Sequence, residues 1–313
     1  MARDAGNAAL QVSCAGRLGI LLTDKGDFTR GQRFLAAAQR AIPDHRHHDT
    51  FGLMAVASVA CRGVMARNLA ERGLSAEAAD LSRQAIAIAD ETDHVFTKIY
   101  ANLITASVRV RARYPEEGLP FLDRASALCD ASRFWLVKPL VASFLGVSKI
   151  LSGSVDEGVD LLEDSLDASE FPPLMVRHSV QRAWMAEGYL AAGLSEKSLA
   201  IASAALATAR TKGEIPVEAM CLRIIGDSRL LLAGGADPDA AASVRQAHTL
   251  SRAFGMQPQW AHCEITLGKI ARLAGRPHEA AAHFGRAARI FEACRMKPLS
   301  PAERGDDRAA SIA

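Results

Sequence analysis

Seven turn signals recur along this chain at a nearly fixed interval, and that interval limits what the chain can fold into. Each closes an apolar, alanine-rich stretch: Gly26, Gly73, Arg113 (just ahead of Tyr114-Pro115), Gly153, Gly193, Gly234 and Gly275. Their separations are 47, 40, 40, 40, 41 and 41 residues. A repeat of this size along a 313-residue chain means one supersecondary unit, copied and stacked. The flanking pattern is helical. Before Gly275, the residues Ile265, Leu267, Ile270, Ala271 and Leu273 fall on one side at helical spacing; after it, Ala280, Phe284, Ala287 and Ile290 recur every three or four residues. The chain is 49% hydrophobic but only 5% aromatic, so alanine, the best helix former, does much of the apolar work. Alternating Val/Ile/Thr runs are nearly absent, and RVRAR at 109–113 lies inside a longer helical stripe. The class is all-α.

Small residues are phased to the same repeat. Ahead of the turn stand Leu18-Gly19, Met65-Ala66, Ala106, Leu145-Gly146, Met185-Ala186, Ile225-Gly226 and Leu267-Gly268; after it come Gly31, Ala78, Gly118, Gly158, Ser198, Ala240 and Ala280. Two antiparallel helices can approach closely only where side chains are this small. The order of Leu-Gly, a turn Gly, then Ala, an aromatic and Ala resembles a tetratricopeptide (TPR) helix hairpin. A period of forty also fits HEAT and armadillo units, but the position-specific pattern favours TPR. The expected fold is a right-handed superhelical solenoid of about seven TPR-like hairpins, one domain over 10–297. Residues 1–9 are expected to fray, and 298–313 to form a disordered tail. Polar, proline- and glycine-rich connections such as Pro43-Asp44, Phe171-Pro172-Pro173 and Gly255-Met256-Gln257-Pro258 separate the hairpins.

Longer words carry a narrower likeness. The stretches AERGLSAEAADLSRQAIAIADETDHVFTKIYA (Ala70–Ala101), SVDEGVDLLEDSL (Ser154–Leu166), AEGYLAAGLSEKSLAIASAAL (Ala186–Leu206) and GMQPQWAHCEITLGKIARLAGRPHEAAAHFGRAARIF (Gly255–Phe291) are similar to a bacterial TPR region. That region is C-terminal in proteins carrying an AAA-type ATPase domain and a class III adenylate/guanylate cyclase domain. The likeness covers about residues 20–295, and MalT-like transcription regulators are a looser match. No GxxxxGK[ST] phosphate loop occurs, and no other region is long enough for a cyclase or ATPase core. The resemblance therefore implies a regulatory or scaffolding arm, free-standing or part of something longer, and not an enzyme.

Charge and composition narrow the partners. Lys+Arg 37 against Asp+Glu 35 leaves a formal charge of +2, which is not the footprint of a nucleic-acid binder. No apolar run reaches the length of a membrane span, and the N-terminus lacks a signal-peptide core. The six scattered cysteines (14, 61, 129, 221, 263, 294) contain no CxxC and read as reduced core residues of a cytoplasmic protein. The expected partner is a protein or peptide; no nucleic acid, membrane, cofactor or metal is expected.

Chemistry-bearing clusters are few. His45, His47 and His48 with Asp44 and Asp49 could hold a metal, but a polar connection between repeats is the ordinary reading. His278-Glu279 is not followed by a second His at HExxH spacing, and no GxSxG elbow appears. Arg109, Arg111 and Arg113 spread round a helix and suit contacts to Glu116, Glu117 or Asp123. Trp135, Trp184 and Trp260 are expected in the inter-repeat core. A TPR array grips a partner on the concave face lined by its first helices. Counting from the Leu-Gly pair places Arg67, Ser107, Glu187, Arg223, Asp227, His262, Lys269 and Arg272 there. The mixed charges suit a peptide or helix, in helix-in-groove fashion; the alternative is a small-effector sensor passing a change to an output domain.

Overall fold

A computed structural model describes residues 7–168, 178–300 and 303 of the chain. Among them are fourteen α-helices and no strand. The helices are α1 (Ala8–Asp24), α2 (Phe28–Ala41), α3 (Ala57–Glu71), α4 (Ser75–Asp90), α5 (Val95–Arg111), α6 (Pro115–Ala131), α7 (Lys138–Leu151), α8 (Val155–Ala168), α9 (His178–Ala191), α10 (Ser195–Lys212), α11 (Ile215–Ala233), α12 (Pro238–Ala253), α13 (Gln257–Leu273) and α14 (Pro277–Ala293). Consecutive helices pair into seven hairpins, α1/α2 to α13/α14, and every turn anticipated above falls between the two helices of one hairpin. The chain divides into two compact units. One is Met1–Ala70 with Leu74–Pro173; the other is Leu174–Ala313 with Glu71–Gly73.

Sterics fix each hairpin. A Cβ added to Gly19 would lie 2.5 Å from Leu35 Cγ and 3.1 Å from the carbonyl oxygen of Gly31. A Cβ on Gly118 would stand 3.3 Å from the carbonyl of Ala106, and the Ser198 hydroxyl donates to the carbonyl of Ala186 at 2.8 Å. The contacts to carbonyl oxygens join residues twelve apart. In α11/α12 the two clasp positions lie two residues further apart in sequence, yet a Cβ added to Gly226 would still stand 3.0 Å from the carbonyl of Ala240 and against the side chain of Val244. There Asp237 opens α12 by accepting from the amides of Asp239 and Ala240 at 2.8 and 3.0 Å, an N-cap that satisfies otherwise orphaned donors. The turn of α1/α2 closes on Gly26 at φ 79°, in the left-handed region where glycine carries no Cβ penalty. Its counterpart in α5/α6 is Arg113 at φ 69°.

Within each unit the second helix of one hairpin packs on the first helix of the next, as α4 does on α5, α6 on α7, α10 on α11 and α12 on α13, and successive first helices also touch. In the first unit α5 packs on α7, and the amide of Val56 donates to Thr97 Oγ1 at 2.9 Å, tying the second hairpin to the third. In the second unit α9 and α13 both pack on α11. With α10 and α12 alongside, that encloses the middle of α11, where Met220, Cys221, Leu222, Ile224 and Ser228 are all buried.

The ends depart from expectation. Helix α1 begins at Ala8, inside the stretch expected to fray, because Asn7 Oδ1 accepts from the amide of Leu10 at 3.0 Å. Leu299, expected in the tail, is buried with Met296 against Phe291 and Cys294. The Phe171-Pro172-Pro173 connection lies outside the described residues. Trp184 is buried as expected, but Trp135 is 74% exposed, since it opens a short 3-10 turn ahead of α7. Of the six cysteines, all free, five are buried and Cys14 is exposed. Leu273 is also exposed, although its spacing placed it with the core residues of α13.

Candidate functional site

The eight residues expected to line a partner-binding face have varied surroundings. In the first unit, Arg67 Nη1 pairs with Asp24 Oδ1 of the preceding first helix at 2.8 Å, and the Ser107 hydroxyl donates to the carbonyl of Ile104 at 2.8 Å. In the second unit, Glu187 of α9, Arg223 and Asp227 of α11 form one buried network. Arg223 Nη1 donates to Asp227 Oδ2 at 2.9 Å and Arg223 Nη2 to Glu187, while the Thr266 hydroxyl of α13 donates to Asp227 Oδ1 at 2.9 Å. The Arg223 side chain is 6% exposed. Burial works to lower its pKa, but the carboxylates of Glu187 and Asp227 and the hydrogen bond to Glu187 outweigh that and raise it. Arg223 and Asp227 are therefore not open groove residues. Enclosed between α9 and α13, they cement three successive first helices to one another.

The remaining three present more of themselves. The His262 ring meets the edge of Phe291 at 5.3 Å between centroids. Arg272 is exposed, its guanidinium 6.0 Å from the Phe284 ring centroid, and Lys269 is half-buried. Beside them stand large apolar side chains that folding leaves in water: Leu231 at 61% and Leu273 at 50%. Leu231 lies five residues past Gly226 and Leu273 five past Gly268, so the two occupy equivalent positions on packed first helices. Leu151, five past Gly146 in the first unit, is 38% exposed.

A second cluster escaped the sequence. Glu264 of α13, 2% exposed, is met by four side-chain nitrogens. His248 Nε2 and Trp260 Nε1 reach Oε1 at 2.9 and 3.0 Å; His283 Nδ1 and Arg286 Nε reach Oε2 at 2.6 and 2.9 Å. The same two ring nitrogens meet other donors of the cluster: His283 Nδ1 lies 2.7 Å from Arg286 Nη2, and Trp260 Nε1 also donates to His248 Nε2 at 3.0 Å. Burial works to raise the Glu264 pKa, but the hydrogen bonds from His248, His283, Arg286 and Trp260 prevail and hold it at about 2. The only sequence trace was the presence of His283 and Trp260 at separate, unremarkable positions.

The other chemical candidates have ordinary surroundings. Arg109 pairs with Glu117 at 3.1 Å, and His48 faces Glu91 at 3.3 Å. Among the described residues no three His, Cys, Asp or Glu side chains are placed to hold a metal ion. Burial pushes the thiols of Cys61, Cys221 and Cys263 up to about 12, so they are not nucleophilic thiolates. No helix among the described residues is long and apolar enough to cross a membrane.

Repeated hairpins locked by small residues, each second helix packed on the next first helix, define a helical repeat protein of the TPR type. Solved structures agree. Aspartyl phosphate phosphatase F from Bacillus subtilis superposes with a TM-score of 0.59 at 12% identity, over 90% of this chain and 70% of that one. A signal transduction ATPase with numerous domains from Pyrococcus horikoshii, described as having a tetratricopeptide repeat sensor, superposes with a TM-score of 0.52 at 14% identity. It covers 87% of this chain, which spans 41% of that protein. No protein-family model matches the chain, and no curated protein matches it in sequence. At these identities the likeness shows the fold, and one fold hosts many functions.

Proposed function

We propose that this chain is a protein-interaction module that holds a peptide or helix of a partner against its first helices. The observation that carries this reading is the pair Leu231 and Leu273, equivalent in register, on packed helices and more than half or half exposed. Exposed leucines at the same register of packed helices, with charge beside them, supply the kind of apolar surface that marks a contact site. Lys269 and Arg272 supply the rim, favouring a partner that combines apolar and acidic side chains. The test is affinity capture with the full chain, comparing wild type, Leu231→Asp/Leu273→Asp and a control, Arg33→Glu, at an exposed position of α2. A partner retained by wild type and control but lost by the double variant supports the reading. A partner retained equally by all three refutes it. Arg223→Glu would be a poor probe, since it buries a third carboxylate beside Glu187 and Asp227.

A second reading is that the repeats form the effector-sensing arm of a signalling protein. It is favoured by the resemblance over residues 20–295 to the repeats of cyclase/ATPase proteins, and by a fold shared with a protein described as having a repeat sensor. A metabolite that raises the melting temperature of the isolated chain, with no protein partner present, would support it.

A further inference from the structure

The Glu264 hub lies between α12, α13 and α14, and Glu264, nine residues before Leu273, faces the opposite side of α13. Helix α13 contributes Glu264 and Trp260; α12 contributes His248 and α14 contributes His283 and Arg286. The buried carboxylate binds each of these through one atom and so fixes how the rest of each side chain is presented. Its neighbours are only partly covered: His248 is 20%, His283 14% and Arg286 38% exposed.

Further cations surround them. Arg252, one turn beyond His248 on α12, places its guanidinium 5.4 Å from the Trp260 ring centroid. Arg245 precedes His248 by one turn, and Arg289 follows Arg286 by one turn; both are exposed. Among the described residues Arg245, Arg252 and Arg289 form no ion pair. The acidic groups nearby are Glu264 itself, met by four side-chain nitrogens, Glu279, whose Oε1 lies 3.8 Å from His283 Nε2, and exposed Glu292 on α14. The balance is cationic, held in place by a buried anchor and decorated with fork-shaped donors.

We propose that this cluster is an anion site for a phosphate group, carried on a partner's side chain or free in solution. Guanidinium forks match the several oxygens of a phosphate, and a dianion is the charge that three unpaired arginines call for. Trp260 supplies the wall that keeps Arg252 from folding away, through a cation–π contact. The site is independent of the first-helix surface and does not rest on the function proposed above.

The experiment is calorimetric titration of the full chain at low salt with three probes: inorganic phosphate, a short peptide containing phosphoserine, and the same peptide unphosphorylated. The proteins are wild type, Arg252→Glu/Arg289→Glu and the control Arg33→Glu. Neither exchanged arginine hydrogen-bonds to Glu264, so the hub and the helical circular dichroism are retained. Saturable phosphate binding is expected in wild type and control, weakened at least tenfold in the double variant. Tighter binding of the phosphopeptide than of inorganic phosphate assigns the group to a partner protein; equal binding assigns a free phosphate. Absence of saturable binding to both phosphate probes overturns the proposal, as does equal binding by the double variant or by the unphosphorylated peptide.

Discussion

Gly146 of α7 and Gly158 of α8 meet backbone to backbone: a methyl on Gly146 would stand 2.7 Å from the carbonyl oxygen of Gly158, and one on Gly158 2.6 Å from that of Gly146. Neither neighbour is a flexible side-chain end, so no rotamer change can make room. Gly158→Ala is expected to cost about 1–3 kcal/mol in urea unfolding. Gly268→Leu, driven into the Phe284 ring, should cost as much or more. In a stack whose repeats contact mainly their neighbours, the damage is local. Amide exchange should quicken first in α7 and α8 for Gly158→Ala; uniform quickening over the whole chain would contradict this picture.

Turn geometry gives two changes of opposite sign. Gly193 sits at φ 78° with nothing within 4 Å of an added Cβ, so Gly193→Ala tests the backbone alone and should cost about 1 kcal/mol. Arg133 is an exposed non-glycine at φ 53°, and Arg133→Gly should be neutral or raise stability by up to about 1 kcal/mol. Denaturant midpoints shifting the same way in both variants would rule out backbone strain as the cause.

The Glu187–Arg223–Asp227 network predicts a rescue. Arg223→Met leaves two carboxylates facing each other without their cation and should cost about 3 kcal/mol. Replacing all three, as Glu187→Leu/Arg223→Met/Asp227→Leu, should recover most of that loss, because buried ion pairs are often no better than apolar packing. A triple variant less stable than Arg223→Met would show that the network is net stabilising.

Acid should find Glu264. Its carboxyl is held at about 2 in the folded protein, below the ordinary value of 4.5, so the folded state binds the proton less readily than the unfolded chain. The resulting stability is fully present above pH 4.5 and is lost as pH falls toward 2; the depression corresponds to about 3 kcal/mol. Glu264→Gln should therefore be less stable than wild type by about 2–3 kcal/mol at pH 7. The gap should narrow below pH 4.5, and a gap that stayed constant down to pH 2.5 would mean that the charge is not what matters.

The repeat was readable because its causes are local. Turn positions and small residues twelve apart are imposed by the contact of two consecutive helices, so they recur in the sequence at a visible interval. The buried state of Arg223 was not readable. An arginine on a helix ordinarily faces water, and only the enclosure of α11 by α9 and α13 removes that face. Glu264 was missed for a related reason: its four partners lie 16, 4, 19 and 22 residues away on three helices. Trp135 was misplaced because helical periodicity was extended through a segment that begins as a 3-10 turn.

The longer connection between α11 and α12 carries a practical lesson. The two additional residues between Gly226 and Ala240 leave them still in contact, and the new helix start still finds its cap in Asp237. Register is thus set by the clasp between helices and not by the span that joins them. The Gly234–Ala236 segment is accordingly the place where an epitope, a fluorophore-bearing loop or a protease site can be grafted while the neighbouring hairpins keep their alignment.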